Sequence, residues 1–395
     1  MKVLFAYDIR FLKDNKGNIY SDAGYNSNLW NRYKEAFGDL TIMSRLHETD
    51  MSDYELLKGY TLLPREIKHV EIFDCYKNVF SFLNVFARLK NKSIIREAVK
   101  KSDITVARLP SWIGNTALNE VKKYKKLCLV EVVGCPWDSL WNHGVCGKIL
   151  APIMWFRTRR NVRKANYTLY VSQFFLQKRY PSNGLSFNCS DVELKRSDIN
   201  TLKERLKKID RIKDQMVIGS IGAIDVKYKG HKYVIKALAK LKKEGYNFKY
   251  RIVGGGKKDE LEKTAKTYKV QDEVEFCGVL SHDEIFNYLN SIDIYIQPSL
   301  TEGLPRAVIE AMSCACPVMG SRVGGMPELV NEEFLFNKKN VNEIKNKIIK
   351  LSQKQNLKRE AERSFNSALD YEKETLDNRR KSFYELIKRE INYYD

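Results

Sequence analysis

Two carboxylates frame the stretch "TEGLPRAVIE": Glu302 precedes a Gly-Leu-Pro turn, and Glu310 lies within the helix that the turn opens. Pro305 suits the first position of a helix, where its missing N–H costs nothing. A helix start offers free N–H groups and the positive end of a dipole, which together form an anion site. Carboxylates accept hydrogen bonds from sugar hydroxyls. The pattern predicts one helix end meeting a diphosphate while an acceptor on either side reaches hydroxyls, the outline of a nucleotide sugar. On helix patterning alone, Glu310 reads as a solvated surface residue. Lys229 alone is one lysine among many. Gly230 beside it and a strand-to-helix setting turn it toward phosphate.

These residues need a scaffold that brings strand ends together. The second half alternates cleanly: "MVIGSIGAI", "FKYRIVGGG", "EVEFCGVL", "IDIYIQPS" and "CPVMGS" read as strands, with "HKYVIKALAKLKKE", "DELEKTAKTYK", "HDEIFNYLNS" and "LPRAVIEAMSC" as helices between them and a short "MPELV" helix after. The first half alternates too, through "KVLFAY", "DLTIMS", "DITVARL", "KLCLVEVV" and "NYTLYVS". Short apolar strands separated by helices predict parallel sheets covered on both faces, hence two doubly wound Rossmann-like domains across a cleft. We expect an N-terminal domain over residues 1–195, a charged, partly helical linker over 196–214 and a C-terminal domain over 215–371. Leu376, Phe383, Ile387 and Ile391 lie along one helical face, so a final helix over 372–395 should cross back onto the first domain. Ligands of open α/β sheets sit at the carboxyl ends of the strands. The loops of interest are therefore Asp22–Gly24, Gly134–Asp138, Gly222–Gly230, Gly254–Gly256, Cys277–Ser281, Pro298–Arg306 and Ser321–Pro327.

Five of these stretches resemble, in order and at suitable spacing over residues 216–336, the C-terminal signature of the retaining glycosyltransferases of family 4, which have the GT-B fold. They are "IGAIDVKYKGHKYVIKAL", "RIVGGG", "VEFCGVLSHDEI", "SLTEGLPRAVIEAM" with its E-x7-E of Glu302 and Glu310, and "GSRVGGMPELV" with Gly324, Gly325, Pro327 and Glu328. The first half resembles the family loosely, as acceptor-binding domains do. The resemblance implies that Glu302 contacts the donor hexose hydroxyls and helps place the anomeric carbon. It gives Glu310 the ribose hydroxyls, and the N–H groups of Gly303 and Leu304 the donor sugar and diphosphate. Lys229 would hold the diphosphate and stabilise the leaving group. Gly254, Gly255, Gly278, Val279 and Leu280 would approach the nucleoside. Gly24, with Tyr25 beside it in "DAGYN", resembles the N-domain glycine loop near phosphates and acceptor. A UDP- or GDP-linked hexose would pass, with retained configuration, to a saccharide or lipid-diphosphate-linked acceptor.

The chain departs from that pattern in three places. Ala223 stands where the family has an arginine, so one diphosphate cation is missing, and Arg306 or Lys227 is expected to replace it. Pro305 stands where many members have glycine. The loop "VVGCPWD" has Gly134 and Cys135 but no histidine, leaving Asp138 as the polar acceptor-side candidate. No D-x-D occurs and the five histidines have no metal spacing, so no metal or cofactor is expected beyond the nucleotide-sugar co-substrate.

The bulk composition agrees. A chain of 395 residues exceeds what one core usually supports. Its net charge of +20 implies an anionic partner. A nucleic-acid binder is the competing class, but the aromatic sheet motifs, zinc spacing and basic-helix array of such proteins are missing. A GT-B sugar-nucleotide epimerase shares the architecture, yet E-x7-E favours transfer. Gly254–Gly256 lacks the full G-x-G-x-x-G of a dinucleotide oxidoreductase. Eight cysteines without a C-x-x-C read as reduced thiols, consistent with a cytoplasmic protein. Between Val145 and Tyr180 lie Lys148, Arg157, Arg159, Arg160, Arg163, Lys164, Lys178 and Arg179 but no acid, with Ile149, Leu150, Ile153, Trp155 and Phe156 among them. That segment reads either as a helix with a basic solvated face or as a peripheral docking face for the anionic inner surface of a membrane.

Overall fold

The computed structural model describes all residues except 23–24, 49–59, 75–83, 142–143, 193, 195–197, 213 and 395. Gly24 therefore lies outside the described residues. The N-terminal half is built on a sheet of nine strands: β1 (Lys2–Lys13), β2 (Ile19–Asp22), β3 (Asp39–Glu48), β4 (Tyr60–Leu62), β5 (Lys68–Glu71), β6 (Ile104–Leu109), β7 (Leu127–Val132), β8 (Tyr167–Tyr170) and β9 (Leu185–Asn188). Seven of them run parallel in the order β5-β3-β1-β6-β7-β8-β9. Their continuous apolar character follows from helices on both faces: every residue of β6 is buried. β2 and β4 form an antiparallel ribbon on the far end of β1. The sequence reading did not anticipate this ribbon, because short half-exposed strands carry little periodicity.

The C-terminal half is a six-stranded sheet of β10 (Met216–Ile221), β11 (Phe248–Val253), β12 (Val274–Gly278), β13 (Ile294–Gln297), β14 (Val318–Ser321) and β15 (Leu335–Phe336). All its pairs are parallel, in the order β12-β11-β10-β13-β14-β15. The strand order reverses between β10 and β13, and this switch point opens a crevice at their carboxyl ends. The expected α/β architecture of two Rossmann-like halves is thus present.

The stretch expected as a linker holds a helix, Ile199–Arg211, that packs on the C-terminal half. Its buried Arg205 donates to the carbonyls of Ile292 at 2.6 Å, Leu289 at 2.8 Å and Cys314 at 3.2 Å. One guanidinium thereby satisfies the ends of two helices, His282–Ser291 and Arg306–Ser313. The chain returns to the first half beside its exit: Lys373 N donates to Leu194 O at 3.1 Å. Helix Lys373–Tyr394 then lies on the N-terminal half, where Phe383 stacks on Phe187 with centroids 5.4 Å apart and Tyr384 meets Phe37 at 4.9 Å. No helix among the described residues is long and apolar enough to cross a membrane.

Candidate active site

The floor of the crevice is made by two loops held together through their backbones. Leu300 N, after β13, donates to Tyr228 O, after β10, at 2.7 Å. Gly230 takes φ +78°, and a Cβ there would stand 2.1 Å from Pro298 O, so only glycine lets the loops approach this closely. The result brings Lys229 Nζ to 2.9 Å from Glu302 Oε1. That same oxygen accepts from Ser299 Oγ at 2.6 Å and Gln297 Nε2 at 3.0 Å. Gln297 is fixed in turn by Tyr295 OH at 2.6 Å, and Ser299 Oγ by Gln297 Nε2 at 2.9 Å. All three of these bonds fall on Oε1, and among the described residues Oε2 makes no hydrogen bond.

Helix Arg306–Ser313 starts one residue later than the sequence suggests. Pro305 is extended (ψ 111°) and serves as N-cap, with its carbonyl accepting from Val308 N at 3.2 Å. Arg306 is then the first helical residue, exposed to the cleft, and Glu310 stands one turn behind it on the same face. Burial pushes the Glu310 carboxyl above the usual carboxylate range, while the Arg306 guanidinium and His282 pull it partly back.

Lys229, Glu302, Arg306 and Glu310 line one cleft of about 1480 Å³, together with Gly303 and Leu304. Tyr7, Tyr25, Arg108 and Asp191 form its opposite wall, from the N-terminal half. The Arg108 guanidinium lies 5.9 Å from the ring centres of both Tyr7 and Tyr25. It pairs with Asp191 and, at 3.5 Å, with Glu131. Burial opposes ionisation of Asp191, yet Arg108, Arg306 and Arg380 outweigh it and hold the carboxyl below its usual range. The sequence reading missed Gln297, Ser299, Arg108 and Asp191. A lone charge inside the apolar run "ITVARL" was the available signal for Arg108; Asp191 had none, since it is brought in by the chain crossing.

The other expected residues divide. Gly254, Gly255 and Gly278 meet at the carboxyl ends of β10, β11 and β12: Gly254 N donates to Gly278 O at 2.8 Å and Ile224 N to Gly255 O at 2.9 Å. A Cβ on Gly254 would stand 2.1 Å from Gly222 O. Leu280 is half-buried and Val279 exposed, and none of these five expected nucleoside-side residues lines the cleft itself. Lys227 points away, paired at 3.3 Å with Glu260 and 74% exposed, so of the two cations expected to replace the missing arginine only Arg306 lies in the cleft. Asp138 also lies outside the lining: it pairs with Arg179 at 3.2 Å on helix Pro136–Trp141, whose Trp137 and Trp141 stack at 5.1 Å.

The sequence model of the family described as glycosyl transferases group 1 matches residues 203–366. The chain is 35% identical to protein CapJ of Staphylococcus aureus over 343 residues, covering 86% of this chain and 84% of that protein. Among solved structures, sucrose-phosphate synthase from Thermosynechococcus elongatus superposes with a TM-score of 0.67 at 14% identity, covering 98% of this chain and 99% of that one. HepE of Anabaena, solved with UDP-glucose, superposes at 0.63 with 17% identity, covering 98% of this chain and 100% of that one. These likenesses identify the two halves and their cleft as a GT-B fold.

Proposed function

The chain belongs to the glycosyl transferases group 1 and is a glycosyltransferase of GT-B fold, and on that premise we propose that it moves a hexose from a UDP- or GDP-linked donor onto a saccharide carried by a lipid diphosphate, in the building of a cell-surface polysaccharide. The transfer retains configuration and needs no metal. The observation that carries this reading is the Lys229–Glu302 pair at the switch point, 2.9 Å apart, with Glu310 and Arg306 in the same cleft. Lys229 supplies a cation where the leaving diphosphate gathers charge, and Arg306 and the helix start add to it. Glu302, held by three donors on Oε1, is a fixed acceptor for donor hydroxyls and a weak nucleophile. That favours same-face displacement: the acceptor oxygen bonds the anomeric carbon, the carbon–phosphate oxygen bond breaks, and the acceptor proton passes to the departing diphosphate. The polysaccharide context is supported by the likeness to the amylovoran biosynthesis glycosyltransferase AmsK of Erwinia amylovora, 35% identical over 149 residues that cover 35% of this chain and 36% of that protein. A UDP donor is supported by the UDP-glucose seen in HepE.

The membrane-linked acceptor draws support from helix Gly144–Arg163. Val145, Ile149, Ile153 and Phe156 are each at least 49% exposed. At 3.6 residues per turn they fall within roughly 100° of arc. Lys148, Arg160 and Arg163 are exposed around them. Because β7 and β8 are parallel, this helix begins at the carboxyl end of the sheet, the end that holds the cleft. An apolar stripe edged by cations fits an anionic bilayer.

Thermal-shift screening against UDP-, GDP- and ADP-sugars tests the donor: stabilisation by one nucleotide class is expected, and a flat response to all three rejects the reading. Turnover should be unchanged by EDTA; activity abolished by EDTA and restored by magnesium would refute metal independence. Vesicles of phosphatidylglycerol should sediment the protein and those of phosphatidylcholine should not. Ile149→Glu with Phe156→Glu should release it.

A further inference from the structure

Glu328 makes a contact that the transfer chemistry does not use. Its carboxylate leaves the C-terminal half and accepts hydrogen bonds from three consecutive backbone amides of the other half: Gln173 at 2.6 Å on one oxygen, and Phe174 at 3.1 Å and Phe175 at 2.7 Å on the second. These amides begin helix Phe175–Arg179. The next amide, Leu176, is already satisfied inside its own half by Ser172 Oγ at 2.9 Å. Both carboxylate oxygens are engaged, and hydrogen bonds to an ionised acceptor are the strong ones.

The backbone that carries Glu328 is joined to the loop that carries Glu302. Gly325 N donates to Gly303 O at 2.7 Å. Gly324, at φ +56°, packs so tightly that a Cβ would stand 1.9 Å from Glu302 O. Gly303 itself abuts the other half, with a built Cβ 2.9 Å from Val133 O, and Leu304 packs against buried residues of both halves. The donor-side loop, the glycine pair and Glu328 therefore move as one strip. This strip faces the N-terminal half along one side of the cleft.

We infer that Glu328 is the positioning residue that holds the two halves closed over the donor, by gripping the amides of residues 173–175. In an open arrangement the carboxylate and the three amides would each return to water, which makes the grip reversible. The contact between the halves stands on its geometry alone, and the kinetic consequence of closure rests on the transfer reading.

The test uses the full chain with Glu328→Gln, which keeps the side-chain shape, and Glu328→Ala. Hydrogen exchange at residues 173–175 should accelerate about tenfold or more in both variants. Small-angle scattering should give a larger radius of gyration than the wild type. Affinity for UDP by calorimetry should stay within about twofold, while acceptor kcat/KM falls about tenfold or more, since donor groups stay in place and only their facing wall is lost. Faster exchange with an unchanged scattering curve would mean a local helix cap and would overturn the inference, as would no change in either. A wild type that binds neither UDP nor GDP counts against the donor reading, while scattering still decides the role of Glu328.

Discussion

Arg306 and Glu310 stand one helical turn apart in the cleft, and the Arg306 charge opposes the rise that burial imposes on the Glu310 carboxyl. Arg306 is the cation available where Ala223 removes the arginine expected of the family. Arg306→Ala should lower kcat/KM for the donor by about tenfold or more, the cost of one charge-assisted contact at the diphosphate. A pH series sharpens this. Burial raises the Glu310 pKa, and in the proposed ribose-binding role its ionised form is the stronger acceptor for hydroxyls. Nucleotide affinity should therefore weaken as pH falls through that pKa. Arg306→Ala removes a positive charge that lowers it, so the weakening should begin at higher pH. Stability runs the other way: the folded state holds this proton more tightly, so Glu310 disfavours folding as pH rises through the same window. An acidic limb of nucleotide binding that is identical in the two proteins would refute the coupling.

At the scale of elements, the site depends on loops that approach closer than side chains allow. Gly324 is the sharpest case, with φ +56° and a backbone carbonyl 1.9 Å from where a Cβ would sit. Gly324→Ala should cost about 1–2 kcal/mol for the left-handed backbone alone. The clash then falls on Glu302 O, so the strip carrying Glu302 must shift. We expect a thermal midpoint a few degrees lower and donor binding weakened by about tenfold or more. Lost stability with intact donor affinity would show that the strip gives elsewhere. The helices behind the loops are held from outside: Arg205 ties the ends of two of them, which makes the supposed linker part of the support for the site.

Across the whole molecule, acid should unfold this protein through two histidines. His231 lies beneath the Lys229 loop, with Nδ1 2.9 Å from Tyr250 OH, and burial, reinforced by the Lys229 charge, lowers its pKa to about 4. Burial, with Lys13, lowers that of His69 to about 4 as well. An unfolded chain binds these protons near 6.5. Between about 6.5 and 4 the unfolded state holds more protons, so stability falls as pH drops through that window. For His231 the full effect is about 3 kcal/mol. Urea midpoints measured from pH 7 to pH 4.5 should fall, and less steeply in His231→Asn; equal slopes would rule out the assignment. The net charge of +20 adds self-repulsion in the same direction.

The alternation of apolar strands with helical segments determined both halves and their parallel sheets, because burial on two faces imposes continuous apolar runs that are visible locally. The loops around Gly230, Gly254, Glu302 and Glu310 were legible as strand-to-helix connections, because close backbone approaches demand glycine and leave a local mark in the sequence. The antiparallel ribbon of β2 and β4 and the packing of helix Ile199–Arg211 were not legible, since both depend on neighbours distant in sequence. Only the tertiary structure put Arg306 rather than Lys227 in the cleft, turned Asp138 toward Arg179, and set Arg108 and Asp191 opposite Glu302. Spacing along a chain records which residue types share an element. Which side chains share a cleft is settled by how two sheets face each other, through contacts such as Glu328 with residues 173–175, and that information has no local period.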